Sequence, residues 1–248
     1  MSTWNQGPFP DRYGSFGAID ATQAASPEVA SFFTAVYGWM GAGLGLTAFV
    51  SWLVANNTAL MHGVLTSGVW IVLVIVELAL VWIIGAAVQR IGAPVAAALF
   101  VLYSVLNGVT LSVIFLMYTA TTIGGTFLVA AGMFAAMSLY GQSTKRNLSG
   151  FGSILFMALF GLILASIVNI FCANSMLYWL VTYAGVFIFA GLTAYDTHKL
   201  QSMAIQTSGD SAVAARYSII GALALYLDII NLFLFLLRIF GNSNGRRR

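Results

Sequence analysis

Apolar residues run along this chain in seven long blocks, at 31–56, 65–88, 94–117, 122–141, 151–171, 175–198 and 214–240. A helix needs about 20 predominantly apolar residues to cross the hydrocarbon core of a bilayer, so each block predicts one transmembrane helix. The class this predicts is all-α, a polytopic membrane protein with seven spans. Most breaks between blocks are short and carry turn-forming or polar residues: Asn56-Asn57, Gly92-Ala93-Pro94, Gly141 to Gly150, Ala173-Asn174-Ser175. The longest connection, about 199 to 213, separates spans six and seven. No internal repeat is visible, so a transporter built from inverted halves is not supported. Residues 1–30 hold three of the four prolines and lack the basic start and apolar core of a signal peptide, so they read as a flexible soluble arm. At its end Ser26, Pro27 and Glu28 fit the N-cap and first turn of the helix that follows. The transmembrane domain is then 31–241, and 242–248 is a basic tail.

Composition agrees with the pattern. Of 248 residues 60% are hydrophobic and 7% charged, where a soluble domain carries about 25% charged residues. A net charge of +3, dispersed along the chain, points away from nucleic acid. One cysteine, Cys172, excludes an intramolecular disulfide and any multi-cysteine zinc site, and His62 and His198 form no metal motif. Lysine and arginine set orientation. Arg90 lies between spans two and three, Lys145 and Arg146 between four and five, Lys199 and Arg216 between six and seven. The alternate loops, 57–64, 118–121 and 172–174, have neither residue. The N-terminus is therefore expected in the cytoplasm. Seven spans would then put Arg246-Arg247-Arg248 outside, against the same rule, unless the last segment is re-entrant; the five loop charges outweigh a short tail.

Three acids fall at membrane depth: Glu77 in span two, Asp196 near the inner end of span six, and Asp228 in the middle of span seven. A charged side chain there costs roughly 2.5–3.5 kcal/mol on insertion scales, and such residues usually face the bundle interior and mark a pathway or proton site. Asp196 can also be read as an interfacial residue that snorkels to water beside His198 and Lys199, and Asp228 as a polar clasp between helices. Glu77 and Arg90 are about 20 Å apart along one helix, and Asp228 and Arg238 about 15 Å, so neither pair meets locally. Asn231 shares the face of Asp228 and continues a polar stripe. Ser104 with Asn107, and Ser166 with Asn169, make similar stripes, expected as interhelical glue. If Asp196 and Asp228 meet, both cannot ionise easily, and the pair titrates as one unit that shares a proton or, ionised, repels or holds a cation. Two or three carboxylates fall short of the roughly six to eight oxygens of a tight calcium site, which suits weak, transient binding.

Two stretches carry a resemblance. Ala194-Tyr195-Asp196-Thr197, and Leu225-Tyr226-Leu227-Asp228-Ile229-Ile230-Asn231-Leu232-Phe233 followed by Leu236-Leu237-Arg238-Ile239-Phe240-Gly241, resemble the signatures of the Bax inhibitor family. Glu77, within Val74-Ile75-Val76-Glu77-Leu78-Ala79, resembles its acidic position in span two. The resemblance covers about 31–241. It implies a seven-helix bundle with the last helix central and a pH-sensitive calcium leak. Asp196 and Asp228 match a hydrogen-bonded aspartate pair, and Arg90 matches a basic residue at the inner end of span two. Family members are also associated with suppression of cell death and, in bacteria, with a membrane-bound protease.

The expected function is slow, pH-gated passage of calcium. Asp196, Asp228 and Arg90 would sense pH and gate, Glu77 and Asn231 would lie on the ion pathway, and Asp196 with Asp228 would hold calcium in passing. No resident cofactor is expected. The expected partners are lipid, protons, calcium and a membrane protein such as a protease. The alanine- and glycine-rich make-up without an ER-retrieval signal points to a bacterial cell membrane. A non-conducting regulator is the alternative. An intramembrane aspartyl protease also places a Tyr-Asp pair on helix six and an aspartate on helix seven, but Leu225-Tyr226-Leu227 stands where that class needs Gly-x-Gly before the second acid.

Overall fold

The computed structural model describes residues 26–66, 68–87, 91–144 and 146–245, with side chains for all but 86, 87 and 242–245. Arg90, Lys145, the Arg246–Arg248 tail and residues 1–25 of the arm lie outside the described residues. Helix α1 (Pro27–Ala55) starts where the local chemistry puts it: Ser26 is extended, its side chain accepts from Val29 N at 3.3 Å, and Pro27 fills a position whose N–H would go unpaired. Its buried residues, Val29, Phe32, Phe33, Val36, Gly43, Thr47, Ser51 and Val54, recur at helical spacing and form one inward stripe.

The second expected span, 65–88, is mainly α3 (Val69–Ala87), and a further helix, α2 (Thr58–Thr66), precedes it at a bend of 81°, beside which Gly68 has φ +66°. Residues 57–64, expected as a loop, are therefore largely helical. Helices α4 (Ala93–Leu111) and α5 (Ile114–Met117) form one span, interrupted where the Ser112 hydroxyl donates to Val109 O at 2.6 Å. Then come α6 (Ala120–Ser143), capped by Thr119, and α7 (Ser149–Cys172). At the end of α7, Asn169 Oδ1 accepts from Asn174 N at 3.0 Å, and Asn174 in turn caps α8 (Ser175–Gln206). Asp210 caps α9 (Ser211–Gly245) by accepting from Ala212 N and Val213 N, both at 3.0 Å. The chain is all-α among its described residues. Six spans are long and apolar enough to cross a membrane, or seven with the bent α2–α3 pair.

The long connection expected between spans six and seven is not there. Helix α8 runs on to Gln206 and only 207–210 turn before α9. Hydropathy falls after Asp196, but hydropathy records membrane depth, whereas the helix continues because Leu200, Gln201, Ser202 and Ala204 are buried against the bundle. Lys199 and Arg216 are thus helical rather than loop residues, and Asp196 lies ten residues before the end of its helix instead of at it.

Helix α9 is the hub. It packs on α8, α1, α6 and α4, and 72% of its most apolar stretch is buried, against 11% for α7, whose main contact is α8. Close approach needs missing side chains. A Cβ on Gly141 of α6 would collide with the carbonyl oxygen of Ala194 in α8, and one on Gly108 of α4 would come within 2.8 Å of Thr47 O in α1. We expect Gly141→Val to force α6 off α8 and lower the thermal midpoint in detergent, at a cost of about 1–3 kcal/mol. Gly38→Ala, with nothing within 4 Å of the added Cβ, should leave the midpoint unchanged or raise it.

Candidate functional site

Phe189 of α8 and Phe235 of α9 stack with ring centroids 5.8 Å apart. Seven residues is nearly two helical turns, so a residue seven positions away lies close to the same face, about 10.5 Å along the axis. Asp196 and Asp228 are each seven residues from their phenylalanine, both on the side of the 207–210 turn. The antiparallel register that stacks the rings therefore places the two acids at one level of the α8–α9 contact. They lie close enough to act on each other electrostatically.

Their surroundings differ. Asp228 is the middle residue of α9 and 4% exposed, and its Oδ2 is buried with no hydrogen-bond partner. An ionised oxygen in that setting is costly, and a proton or a cation reaching it removes the cost. Asp196 is half-buried, and Lys199, one turn on, acts on it electrostatically. This is the exposure the snorkelling reading expected, yet its neighbours Thr197 and His198 are buried. The hydrogen bond between the two acids that the resemblance implies would need one added proton, because two ionised carboxylates are both acceptors. Asn231 does not complete the stripe: its Nδ2 donates to Leu227 O of its own helix at 2.8 Å. Arg90 lies outside the described residues. Among them no three acid, histidine or cysteine side chains converge to hold a metal, so a cation between the aspartates would meet two carboxylates and whatever water it keeps.

Glu77 is elsewhere. It accepts from Asn107 Nδ2 at 3.1 Å and from the Thr110 hydroxyl, tying α3 to α4. Asn107 Oδ1 accepts from the Tyr226 hydroxyl at 3.0 Å, and Tyr226 meets Thr47 of α1 at 2.6 Å. Four helices are joined by this chain of polar groups. Tyr226 is fully buried, against Phe100 and Tyr103 in edge-to-face contacts. Two residues from Asp228 it points to a different neighbour, since two helical positions turn through about 200°. A second chain lies nearer Asp196: Gln142 Nε2 donates to Tyr37 OH at 2.7 Å, Tyr37 OH meets Ser138 Oγ at 2.6 Å, and Ser138 meets Thr197 at 3.1 Å. His198 Nδ1 lies 3.2 Å from Gly141 O.

Sequence reasoning singled out Glu77, Asn107 and the aspartates but missed Tyr226, Thr47, Thr110 and Tyr37. Tyr226 carried a signal, a hydroxyl in an otherwise apolar run two residues before an acid; the threonines did not, because sequence does not separate Thr47 and Thr110, which reach other helices, from Thr182 and Thr193, which bond their own backbone. Asn107 does bridge helices. Ser166 and Asn169 do not, since Ser166 donates to Leu162 O and Asn169 closes the end of its own helix.

A family model described as "Inhibitor of apoptosis-promoting Bax1" matches residues 29–245. The inner membrane protein YbhL of Escherichia coli is 56% identical over 214 residues, covering 86% of this chain and 92% of that protein. A Deinococcus radiodurans protein is 44% identical over 222 residues, with 89% and 94% coverage. One from Borreliella burgdorferi is 40% identical over 230 residues, with 92% and 99% coverage. The match takes in every described helix, including the α8–α9 pair with its two aspartates, and the chain belongs to the Bax inhibitor family.

Proposed function

We propose that this chain is a slow, pH-gated calcium leak of a bacterial inner membrane, with its N-terminus in the cytoplasm and no enzymatic step. The observation that carries the reading is the α8–α9 contact: two carboxylates at one level of an otherwise apolar bundle, one of them buried with an unpartnered oxygen. With one proton between them they hydrogen-bond and hold α8 to α9. With both ionised they repel, or hold a cation between them. The contact thus has two states, and pH selects between them. Asn231 offers a further polar group one turn along α9, and Glu77, beyond Tyr226, is a separate polar station on the pathway. Arg90, which follows α3 in the sequence, is the cation that the resemblance assigns to the gate. The membrane assignment draws on the printed name of the Escherichia coli relative and on the apolar helices. The protease reading has no support before Asp228, where Leu225-Tyr226-Leu227 stands in place of the glycines that would let a substrate backbone approach.

Purified protein in liposomes should pass calcium faster than empty vesicles, at a rate that changes between mildly acidic and mildly alkaline pH. Flux equal to that of empty vesicles at every pH would leave a non-conducting regulator, for example one that binds a membrane protease. Asp196→Asn and Asp228→Asn should each remove most of the pH dependence, with the double variant no worse than either, because the two acids act as one element. Additive effects would show two independent sites.

Orientation is open to direct measurement. Thr121 and Ser143 lie near opposite ends of α6, 22 residues or about 33 Å apart. In a Cys172→Ser background, Ser143→Cys should react with membrane-impermeant reagent from the cytoplasmic side and Thr121→Cys from the other. Reaction of both from one side contradicts the topology.

A further inference from the structure

Glu77 is 8% exposed in the middle of α3 and faces α4. Its charge is met by hydrogen-bond donors rather than by a cation. The helices about it, α2, α3 and α4, contain no lysine or arginine within their bounds. The one titratable group of α2, His62, is exposed and lies 3.3 Å from the Thr66 hydroxyl. From α4 and α9 the titratable groups that feel Glu77 are the phenols Tyr103 and Tyr226. Asp228 turns instead toward α8, and the Arg238 guanidinium lies 5.0 Å above the Phe235 ring.

The donors around Glu77 are arranged so that a proton can arrive without orphaning any polar atom. The Thr110 hydroxyl has two acceptors for its single hydrogen: Glu77 Oε1, and Leu106 O at 3.2 Å in its own helix. When Glu77 is ionised, Thr110 donates to the carboxylate. When Glu77 is protonated, its O–H donates to Thr110 Oγ1, and the Thr110 hydrogen turns to Leu106 O. Asn107 Nδ2 donates to Oε2 in both states, and Asn107 Oδ1 keeps its bond from Tyr226. One proton is taken up from water, one O–H bond forms, and nothing else is released.

We propose that Glu77, Thr110 and Asn107 form a proton-binding site separate from the aspartate pair, which grips α3 to α4 when Glu77 is ionised and slackens when it is protonated. The change in grip follows from bond type: hydrogen bonds to an ionised carboxylate are roughly twice as strong as neutral ones. Its target is α3 because that helix packs mainly on α4 and α2 and otherwise exposes Ile71, Val72, Ile75, Leu78 and Trp82. The Asn107–Tyr226 bond then carries any shift of α4 to the helix that bears Asp228.

The test is a nitroxide on Leu78→Cys, beside Glu77 on the exposed face, in a Cys172→Ser background in phospholipid vesicles. Its spectrum should become more mobile as pH falls. Glu77→Gln should hold it at the mobile limit at every pH. Thr110→Val, which removes the turning hydroxyl, should move the midpoint by about one pH unit, the equivalent of one hydrogen bond, and Thr110→Ser should restore it. A label whose mobility is constant over the pH range in which the protein stays folded overturns the proposal. So does a Glu77→Gln variant that still titrates, or an unmoved midpoint in Thr110→Val. Because the label reports α3 and not ion flux, the result stands whether or not the vesicles pass calcium.

Discussion

Lipid supplies no hydrogen bonds, so a polar side chain carried into the bundle must find its partner there. Helix α9 feels this constraint most, because α8, α1, α6 and α4 enclose it and leave it little lipid-facing surface. Its two central polar residues meet the constraint in opposite ways. Tyr226 is fully buried and bonded to Asn107 and Thr47. Asp228, two residues on, presents an oxygen with no donor at all. A fully apolar α9 would pack in the same place without that penalty. The cost is confined to one atom, on a residue that feels the acid of the neighbouring helix.

Helix α1 is the common rail against which the acid-bearing helices are aligned. Its Thr47 meets Tyr226 of α9, and its Tyr37 reaches Thr197 of α8 through Ser138 of α6. Each chain ends within two residues of an aspartate. Hydrogen bonds of this kind between membrane helices are individually modest, about 0.6 kcal/mol on average, so they add little to stability. What they supply is register, because a hydroxyl displaced by one turn has no partner. Apolar packing tolerates sliding far better. The close approach of Gly141 to the Ala194 backbone limits the same sliding from the side of α6.

Much of this was legible in the chain, and what was not has physical causes. Long apolar blocks announce spans, and Ser26-Pro27-Glu28 announces a helix start, because both are local signals. The end of α8 was misread because Gln201 and Ser202 look like the edge of a membrane, whereas burial against the bundle keeps them helical. Helix α2 and its 81° bend to α3 were not visible, since Asn57 to His62 reads as a short polar break before the apolar block at 65–88. Asp196 and Asp228 stood out as costly acids in apolar runs. That they share a level was not visible, because it depends on the α8–α9 register, and that depends on a turn of four residues where a longer loop was expected.

Glu77 and Asp228 show how two buried acids of similar chemistry come to different ends. Glu77 lies at the edge of the bundle, where α4 can present an amide and a hydroxyl one turn apart on the same face, Asn107 and Thr110, so its anion is met by donors. At the centre, α9 and its neighbours pack through aliphatic and aromatic side chains, among them Phe189 and Leu192 of α8 and Leu225 and Phe235 of α9. No hydrogen-bond donor meets Asp228 Oδ2 there, and another carboxylate, Asp196, acts on it electrostatically. An acid met only by a second acid is at rest when a proton or cation stands between them. The difference is one of neighbours: an amide and a hydroxyl of α4 meet Glu77, whereas a second carboxylate acts on Asp228.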